Sequence, residues 1–112
     1  MELVLKIYEG RKVVKEYKAE TIDFSFGVVE DVLDALDLEH AADDKGNLNN
    51  MRVAAAAIKA SKQLKPFLKD MFEGVTDAEL RTVRMQNLAE IFRGLYEYAV
   101  NELGIAVGNE KN

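Results

Sequence analysis

Cysteine and tryptophan are absent from this sequence of 112 residues, and proline and histidine occur once each. The absence of cysteine excludes disulfides, thiolate metal sites and cysteine nucleophiles, and it suits a reducing compartment. With His40 as the only histidine, a zinc site would have to use carboxylates alone, which is unusual. We interpret His40 as a solvated loop residue rather than a base. No Gly-rich phosphate loop or G-x-S-x-G elbow occurs, so we assign no catalytic, cofactor-binding or metal-binding residue.

Positive charge is also scarce, since 15 Lys and Arg against 20 Asp and Glu leave a net charge of -5. Such a protein makes a poor general nucleic-acid binder, because affinity for phosphates comes from clustered Lys and Arg. Residues 23–44 carry eight acids and no Lys or Arg, whereas residues 52–69 carry five bases and no acid. This pattern favours two neighbouring helices of opposite charge, and a polar binding surface is the alternative.

Long hydrophobic runs are missing as well. An uncharged run such as Val53–Ile58 is far too short to cross a bilayer, and charges interrupt the N-terminal "MELVLKIYEGRK", so it is not a secretory signal. We therefore expect a soluble cytoplasmic protein without a membrane partner. With 48% hydrophobic residues, the chain can form a real core, and its length fits a single domain, 1–112.

The N-terminal residues 1–26 predict a β-hairpin followed by an extended arm. Leu3, Leu5 and Ile7 alternate with residues of the other face, Gly10 suits a tight turn, and alternation resumes in "KVVKEYKA". The stretch "TIDFSF" predicts either a third short strand or an extended arm.

Residues 27–104 predict a bundle of four to five helices. In "GVVEDVLDAL", the apolar residues Val29, Val32, Leu33 and Leu36 recur at helical spacing, which predicts a helix. Ser25 is its predicted N-cap residue. "MRVAAAAIKASKQLKPFLKDMF" favours helix, and Leu64, Phe67, Leu68 and Met71 continue an apolar stripe. We expect a break or kink just before Pro66, and Ser61 is a candidate cap for a new helix that has Pro66 near its start. "NLAEIFRGLYEYAVNELG" predicts a long last helix, and 105–112 a flexible tail. The fold class is thus α+β, with the hairpin packed on mostly helical structure.

Two polar stretches are candidates for a calcium site and a reaction site, respectively. In the loop "DLEHAADDKGNLNN", neither Asp43 nor Asp44 starts a register that fits an EF-hand, which argues against calcium. In "MFEGVTDAEL", Thr76 and Glu79 have the spacing of a capping box, and Gly74 suits the left-handed residue that ends a helix. We interpret this stretch as a joint between two helices rather than as a reaction site.

"LKIYEGRKVVKEYKAETIDFSFGVVEDVLDAL" followed by "LKDMFEGVTDAELRTVRMQNLAEIF" resembles the tail assembly chaperones of long-tailed phages and prophages of Gram-positive bacteria. In that family a short β-hairpin precedes an acidic helix, and an iFpGlTxeELxxV signature precedes the last long helix. Here the signature runs from Met71 to Leu80, with Val83 following. Glu73 stands where the family often has proline, which should loosen the turn.

The resemblance implies a non-catalytic protein without a cofactor. Such chaperones bind the tape-measure protein, keep it soluble and help recruit subunits of the tail tube. The implied partners are the tape-measure protein and the major tail protein, with self-association left open. The implied location is the cytoplasm of the infected or lysogenic bacterium, outside the mature virion.

The resemblance also implies a longer form made by programmed ribosomal frameshifting. The chain ends in Glu110, Lys111 and Asn112, which can be encoded with a slippery A-AAA-AAC heptamer. We hypothesise that this chain is the short, unshifted product.

Partner-binding side chains are expected on the last helix. The candidates are Phe92, Leu95, Tyr96 and Tyr98, of which Tyr98 falls off the main apolar stripe. The alternative is that these residues fill the core. A second functional hypothesis is a small phage regulatory or nucleic-acid-associated protein that uses the basic helix 52–69. A third, an enzyme that uses only carboxylates, would need an acid-lined pocket.

Overall fold

The computed structural model describes residues 1–37, 49–101 and 104. In this part of the chain, two strands and a 3-10 turn precede five helices, which is the α+β class that the sequence predicts. The elements are β1 (Glu2–Glu9), β2 (Lys12–Glu20), the 3-10 turn (Thr21–Asp23), α1 (Phe26–Leu36), α2 (Asn50–Lys59), α3 (Ser61–Met71), α4 (Asp77–Leu80) and α5 (Met85–Asn101). His40, Asp43, Asp44 and the predicted tail 105–112 lie outside the described residues.

The N-terminal hairpin is confirmed. β1 and β2 pair antiparallel, and the turn between them uses Gly10 at a φ of 65°. The alternation in β1 buries Leu3, Leu5 and Ile7 against the helices, as predicted. β2 is the exposed strand of the pair, and only Tyr17 and Ala19 are half-buried in it. The two-stranded sheet therefore covers the helical layer mainly with β1.

The third strand that "TIDFSF" allowed is wrong for the described structure, whose sheet has two strands. The backbone amide of Thr21 donates to the carbonyl of Met1 at 2.9 Å, and the chain then makes the 3-10 turn. Ile22 is consequently 77% exposed instead of lying on a buried face. The apolar alternation of this stretch is interrupted because the chain turns away from the hairpin after Thr21.

Helix α1 begins as the sequence predicts. The Ser25 hydroxyl accepts a hydrogen bond from the Val28 amide at 3.1 Å, which satisfies one of the free donors of the first turn. The four apolar residues predicted at helical spacing, Val29, Val32, Leu33 and Leu36, are all buried. α1 packs against α2 and α3, so the acidic helix does lie beside the basic ones.

The long Ala- and Lys-rich segment breaks at Ala60, so that a new helix starts at Ser61 as the sequence allowed, although Ala60 and not Ser61 is its cap residue. α2 ends at Lys59 and α3 begins at Ser61, while Pro66 lies inside α3. Pro66 removes one backbone donor, which leaves the Lys62 carbonyl without its helical partner. Both residues are on the exposed side of α3, where water can reach this carbonyl, so the helix tolerates the loss.

Helix α5 occupies the centre of the fold, because it packs against both α2 and β1. At the contact with β1, a Cβ added at Gly94 would lie 3.0 Å from the Leu3 side chain, so glycine permits this close approach. Within residues 1–37, 49–101 and 104, no helix combines the length and apolarity needed to cross a membrane.

Candidate functional site

The four partner-binding candidates on α5 do not form one exposed surface. Phe92 and Leu95 are fully buried, so neither offers an exposed side chain in this structure, and their role in partner binding stays a prediction. The apolar stripe of α5 is turned inward, because α5 has β1 on one side and α2 on another. Tyr96 is half-buried and packs against the core, while Tyr98 is half-buried and lies outside the core cluster. Tyr98 therefore remains a candidate, and whether it binds a partner stays a prediction.

A small apolar cleft opens beside the same helix, where α3, α4 and α5 meet the end of α2. Its volume is about 120 Å³, and its apolar lining comes from Ala57, Leu64, Leu68, Leu80, Leu88 and Phe92. Phe92 thus belongs to this site as part of its floor. A cleft of this size accommodates a single aliphatic or aromatic side chain and is smaller than the roughly 300 Å³ of the smallest usual ligand pockets.

Helical periodicity places the apolar lining. Leu64 and Leu68 are four residues apart on α3, and Leu88 and Phe92 are four apart on α5, so each pair lies on one face of its helix. Leu80 is the last residue of the one-turn helix α4 and closes the remaining side. Helix α4 therefore forms one wall of the cleft through Leu80.

The rim of the cleft is positively charged. Its charged lining residues are Lys65 and Arg81, and both are exposed. No acidic residue is among the described residues that line the cleft. Charges at the edge of an apolar surface raise the local concentration of oppositely charged groups. The cleft consequently suits an apolar side chain that has acidic neighbours.

The joint before α4 holds this helix in place. The Thr76 hydroxyl accepts from the Glu79 amide at 3.1 Å, and the Glu79 carboxylate accepts from the Thr76 amide at 3.0 Å. The predicted capping box is thus confirmed, and Gly74 adopts the left-handed conformation with a φ of 95°. Lys69 also binds Asp77 at 2.6 Å across the joint, and this contact lowers the pKa of the Asp77 carboxyl.

Glu79 connects the joint to the hairpin, a link that the sequence did not reveal. The Tyr17 hydroxyl donates to the Glu79 carboxylate at 2.6 Å, and the Lys15 ammonium lies 3.4 Å from its other oxygen. The hydrogen bond from Tyr17, together with the Thr76 amide and Lys15, lowers the pKa of the Glu79 carboxyl. One carboxylate therefore caps α4 and attaches it to β2.

Larger openings on the surface offer different chemistry. One of about 690 Å³ lies between the end of β2 and the end of α3, and its charged residues are of both signs. Another of about 510 Å³ lies between the end of α1 and α2, and its lining combines alanines with charged residues of both signs. Among the described residues, no three His, Cys, Asp or Glu side chains are grouped so as to hold a metal ion. That the protein is not an enzyme stays a prediction.

Sequence reasoning did not predict the cleft or its rim. Leu64 and Leu68 were expected on an apolar stripe, but periodicity alone does not reveal that the stripe is left partly uncovered. The available signal was a base directly after an apolar position in each segment, Lys65 after Leu64 and Arg81 after Leu80.

The chain was also compared with family models, curated proteins and solved structures, and none of the three comparisons found a match.

Proposed function

We propose that this protein is a non-catalytic tail assembly chaperone that binds apolar helical segments of a tape-measure protein and keeps them soluble. The resemblance of its hairpin, acidic helix and Met71–Leu80 signature to such chaperones supports this function. The structural observation that carries the proposal is the apolar cleft with a basic rim. We further propose that it acts in the host cytoplasm and helps recruit tail-tube subunits.

The bound segment is an amphipathic helix with acidic residues beside its apolar face. One large side chain enters the cleft, and the neighbouring carboxylates approach Lys65 and Arg81. Helix-in-groove recognition generally uses apolar anchors at helical spacing, and acids three or four residues from the anchor would lie on the same face.

The size of the cleft predicts weak and rapidly reversible binding. Burial of one large apolar side chain contributes about 1.5–3 kcal/mol, and each exposed ion pair about 0.2–1 kcal/mol. The total of about 2–5 kcal/mol falls short of the roughly 8 kcal/mol needed for micromolar affinity. Stable cover of a long partner therefore requires many copies along it, which fits a chaperone that must later be displaced.

The alternative, nucleic-acid binding by the basic helix 52–69, has less support. Phe67, the one aromatic residue of that segment, is packed against the core and is not available as a stacking platform. Lys69 is engaged by Asp77. This alternative would be favoured if the wild-type chain bound DNA in a salt-dependent way and lost this binding when the lysines of residues 52–69 were replaced.

The proposed function is tested by co-expression with a tape-measure protein from the same phage or prophage. The measured quantity is the soluble fraction of the tape-measure protein. We expect the wild-type chain to increase it and the double variant Lys65→Glu/Arg81→Glu to lose most of that effect, because both rim charges are reversed. The matched control is Lys62→Glu/Arg11→Glu, which makes the same change in net charge at exposed positions outside the cleft.

Two results would contradict different parts of the proposal. If the wild-type chain leaves the tape-measure protein insoluble, the chaperone function is wrong. If the chaperone effect survives Lys65→Glu/Arg81→Glu, with both variants folded by circular dichroism, the cleft is not the binding site.

A further inference from the structure

The outer edge of β1 is closed by Asn87 in the first turn of α5 and by Thr82 in the segment that joins α4 to α5. Asn87 is buried, its side-chain oxygen accepts from the Lys6 amide at 2.8 Å, and its side-chain nitrogen donates to the Val4 carbonyl at 2.9 Å. The Thr82 hydroxyl accepts from the Tyr8 amide at 3.0 Å. Asn87 thus makes the pair of hydrogen bonds that a neighbouring strand would make.

These contacts show which backbone amides and carbonyls of β2 point away from β1. The backbone groups of Val4 and Lys6 that bind Asn87 point away from β2. Residues directly opposite each other in an antiparallel pair point their backbone groups either both inward or both outward. Lys18 lies opposite Val4, and Glu16 lies opposite Lys6. The amides and carbonyls of Glu16 and Lys18 therefore point away from β1.

Unlike the edge of β1, the outer edge of β2 is open. Among the described residues, 1–37, 49–101 and 104, none outside the hairpin makes a hydrogen bond to the backbone groups of Glu16 or Lys18. Both residues are exposed. An open strand edge is a template for pairing with another extended chain.

We propose that β2 pairs antiparallel with β2 of a second copy of this chain, about a two-fold axis at Tyr17. The two hairpins then form one four-stranded sheet, and the two copies use the same surface, as a two-fold interface requires. Glu16 of each copy lies opposite Lys18 of the other as a hydrogen-bonded pair, so the outward amides and carbonyls are satisfied on both sides.

The charge order and the length of β2 together select this register. An axis at Ala19 would also pair opposite charges, Lys18 with Glu20, but it would pair only residues 18–20, because β2 ends at Glu20. An axis at Glu16, Lys18 or Lys15 would place that residue opposite its own copy, and like charges directly opposite each other are destabilising. An axis at Val14 would centre the pairing on the β-bulge, where Val14 has no partner across the hairpin and where the strand is bent. With the axis at Tyr17, two opposite-charge pairs form, Val14 faces Glu20, and Lys15 faces Ala19. The second copy is favoured over an unrelated strand because the edge is complementary to itself.

The proposal does not depend on the proposed function, since it concerns the opposite side of the hairpin from β1 and uses none of the cleft residues. It predicts concentration-dependent association that weakens as salt is added, because both ion pairs are exposed to water.

Sedimentation of the full chain from about 10 µM to 1 mM, a range that covers weak self-association, tests the proposal. We expect Glu16→Lys and Lys18→Glu each to raise the dissociation constant of the dimer by about tenfold, since each places like charges opposite each other twice. The double variant Glu16→Lys/Lys18→Glu should restore association, because it exchanges the partners of both pairs. An equimolar mixture of the two single variants should also restore it, because an edge with lysine at both positions then faces an edge with glutamate at both.

Amide hydrogen exchange provides a second measurement at the edge itself. The amides of Glu16 and Lys18 should become protected as the protein concentration rises. A wild-type chain that is monomeric at 1 mM (on the order of the weakest association sought), association that the single variants leave unchanged, or association without protection of these amides would each overturn the proposal. So would protection of these amides by another protein's extended segment while this chain alone stays monomeric.

Discussion

Replacement of Asn87 by leucine should show how much the hydrogen bonds that close the edge of β1 contribute to the stability of the fold. Leucine has the branched shape of asparagine and a larger volume, so it leaves no cavity, but it can neither accept from the Lys6 amide nor donate to the Val4 carbonyl. A buried polar group without a partner costs about 1–3 kcal/mol. Because both contacts are only partly buried, water can reach them in part, and we expect Asn87→Leu to lower the free energy of unfolding by about 2–4 kcal/mol.

Urea unfolding at neutral pH measures this loss, with Gln86→Leu as the matched control at an exposed position of the same helix. The control should change stability by less than about 0.5 kcal/mol. The amide of Lys6 should exchange faster with solvent in Asn87→Leu than in the wild-type protein. A loss below about 1 kcal/mol, or an unchanged exchange rate at Lys6, would refute the argument that Asn87 substitutes for a strand.

Asn87→Asp extends the same test through pH. A protonated aspartic acid can accept from the Lys6 amide and donate to the Val4 carbonyl, whereas a carboxylate can only accept and would repel that carbonyl. Its pKa in the folded state should therefore be raised above the usual value of about 3.9, so the folded state binds more protons. Below about pH 3.9, the variant should have nearly the stability of the wild type. As the pH rises through the raised folded pKa towards 7, the variant should become increasingly less stable than the wild type. A pH-independent difference would contradict this reasoning.

Two further predictions concern the joint. Because the hydrogen bond from Tyr17 lowers the pKa of Glu79, its charge should stabilise the fold above the unfolded value of about 4.3, and this contribution should disappear as the pH falls through the lower folded pKa. Glu79→Gln, which retains the capping geometry, should therefore be less stable than the wild type at pH 7 and equal to it in acid, measured by urea unfolding; a constant difference would contradict the assignment. Gly74→Ala should cost about 1–2 kcal/mol, because Gly74 has a φ of 95°, whereas Gly27→Ala in α1, where an added Cβ meets nothing within 4 Å, should be neutral or stabilising by up to about 1 kcal/mol. Equal effects of the two alanines in thermal unfolding would exclude backbone strain at Gly74.

Local patterns predicted most of the secondary structure correctly. Alternation predicted β1 and its buried face, and hydroxyl residues at the right spacing predicted the starts of α1 and α4. These features depend on residues within a few positions of one another, so the sequence contains the whole interaction. The same reasoning was wrong about the third strand. Thr21 is held by hydrogen bonds to the Met1 carbonyl, twenty positions away, and a local pattern does not contain such a contact.

The candidate site was less predictable than the fold. Periodicity identified the apolar face of α5, but Phe92 and Leu95 lie on the part of that face that neighbouring elements cover. Exposure depends on which elements pack together, and periodicity does not specify this. The cleft beside Phe92 lies where α4, held by its capping box and by Lys69, leaves part of the stripe uncovered.

The sequence by itself determined that "MFEGVTDAEL" joins two helices, because Thr76 and Glu79 are three residues apart and their capping bonds are local. Only the tertiary structure decided that Glu79 also receives the Tyr17 hydroxyl from the hairpin, 62 residues away. It likewise decided that Asn87 closes the edge of β1, while the edge of β2 has no such partner among the described residues. The physical reason is the same in each case: a side chain can be assigned a local partner from spacing, but a distant partner exists only once packing brings the two elements together.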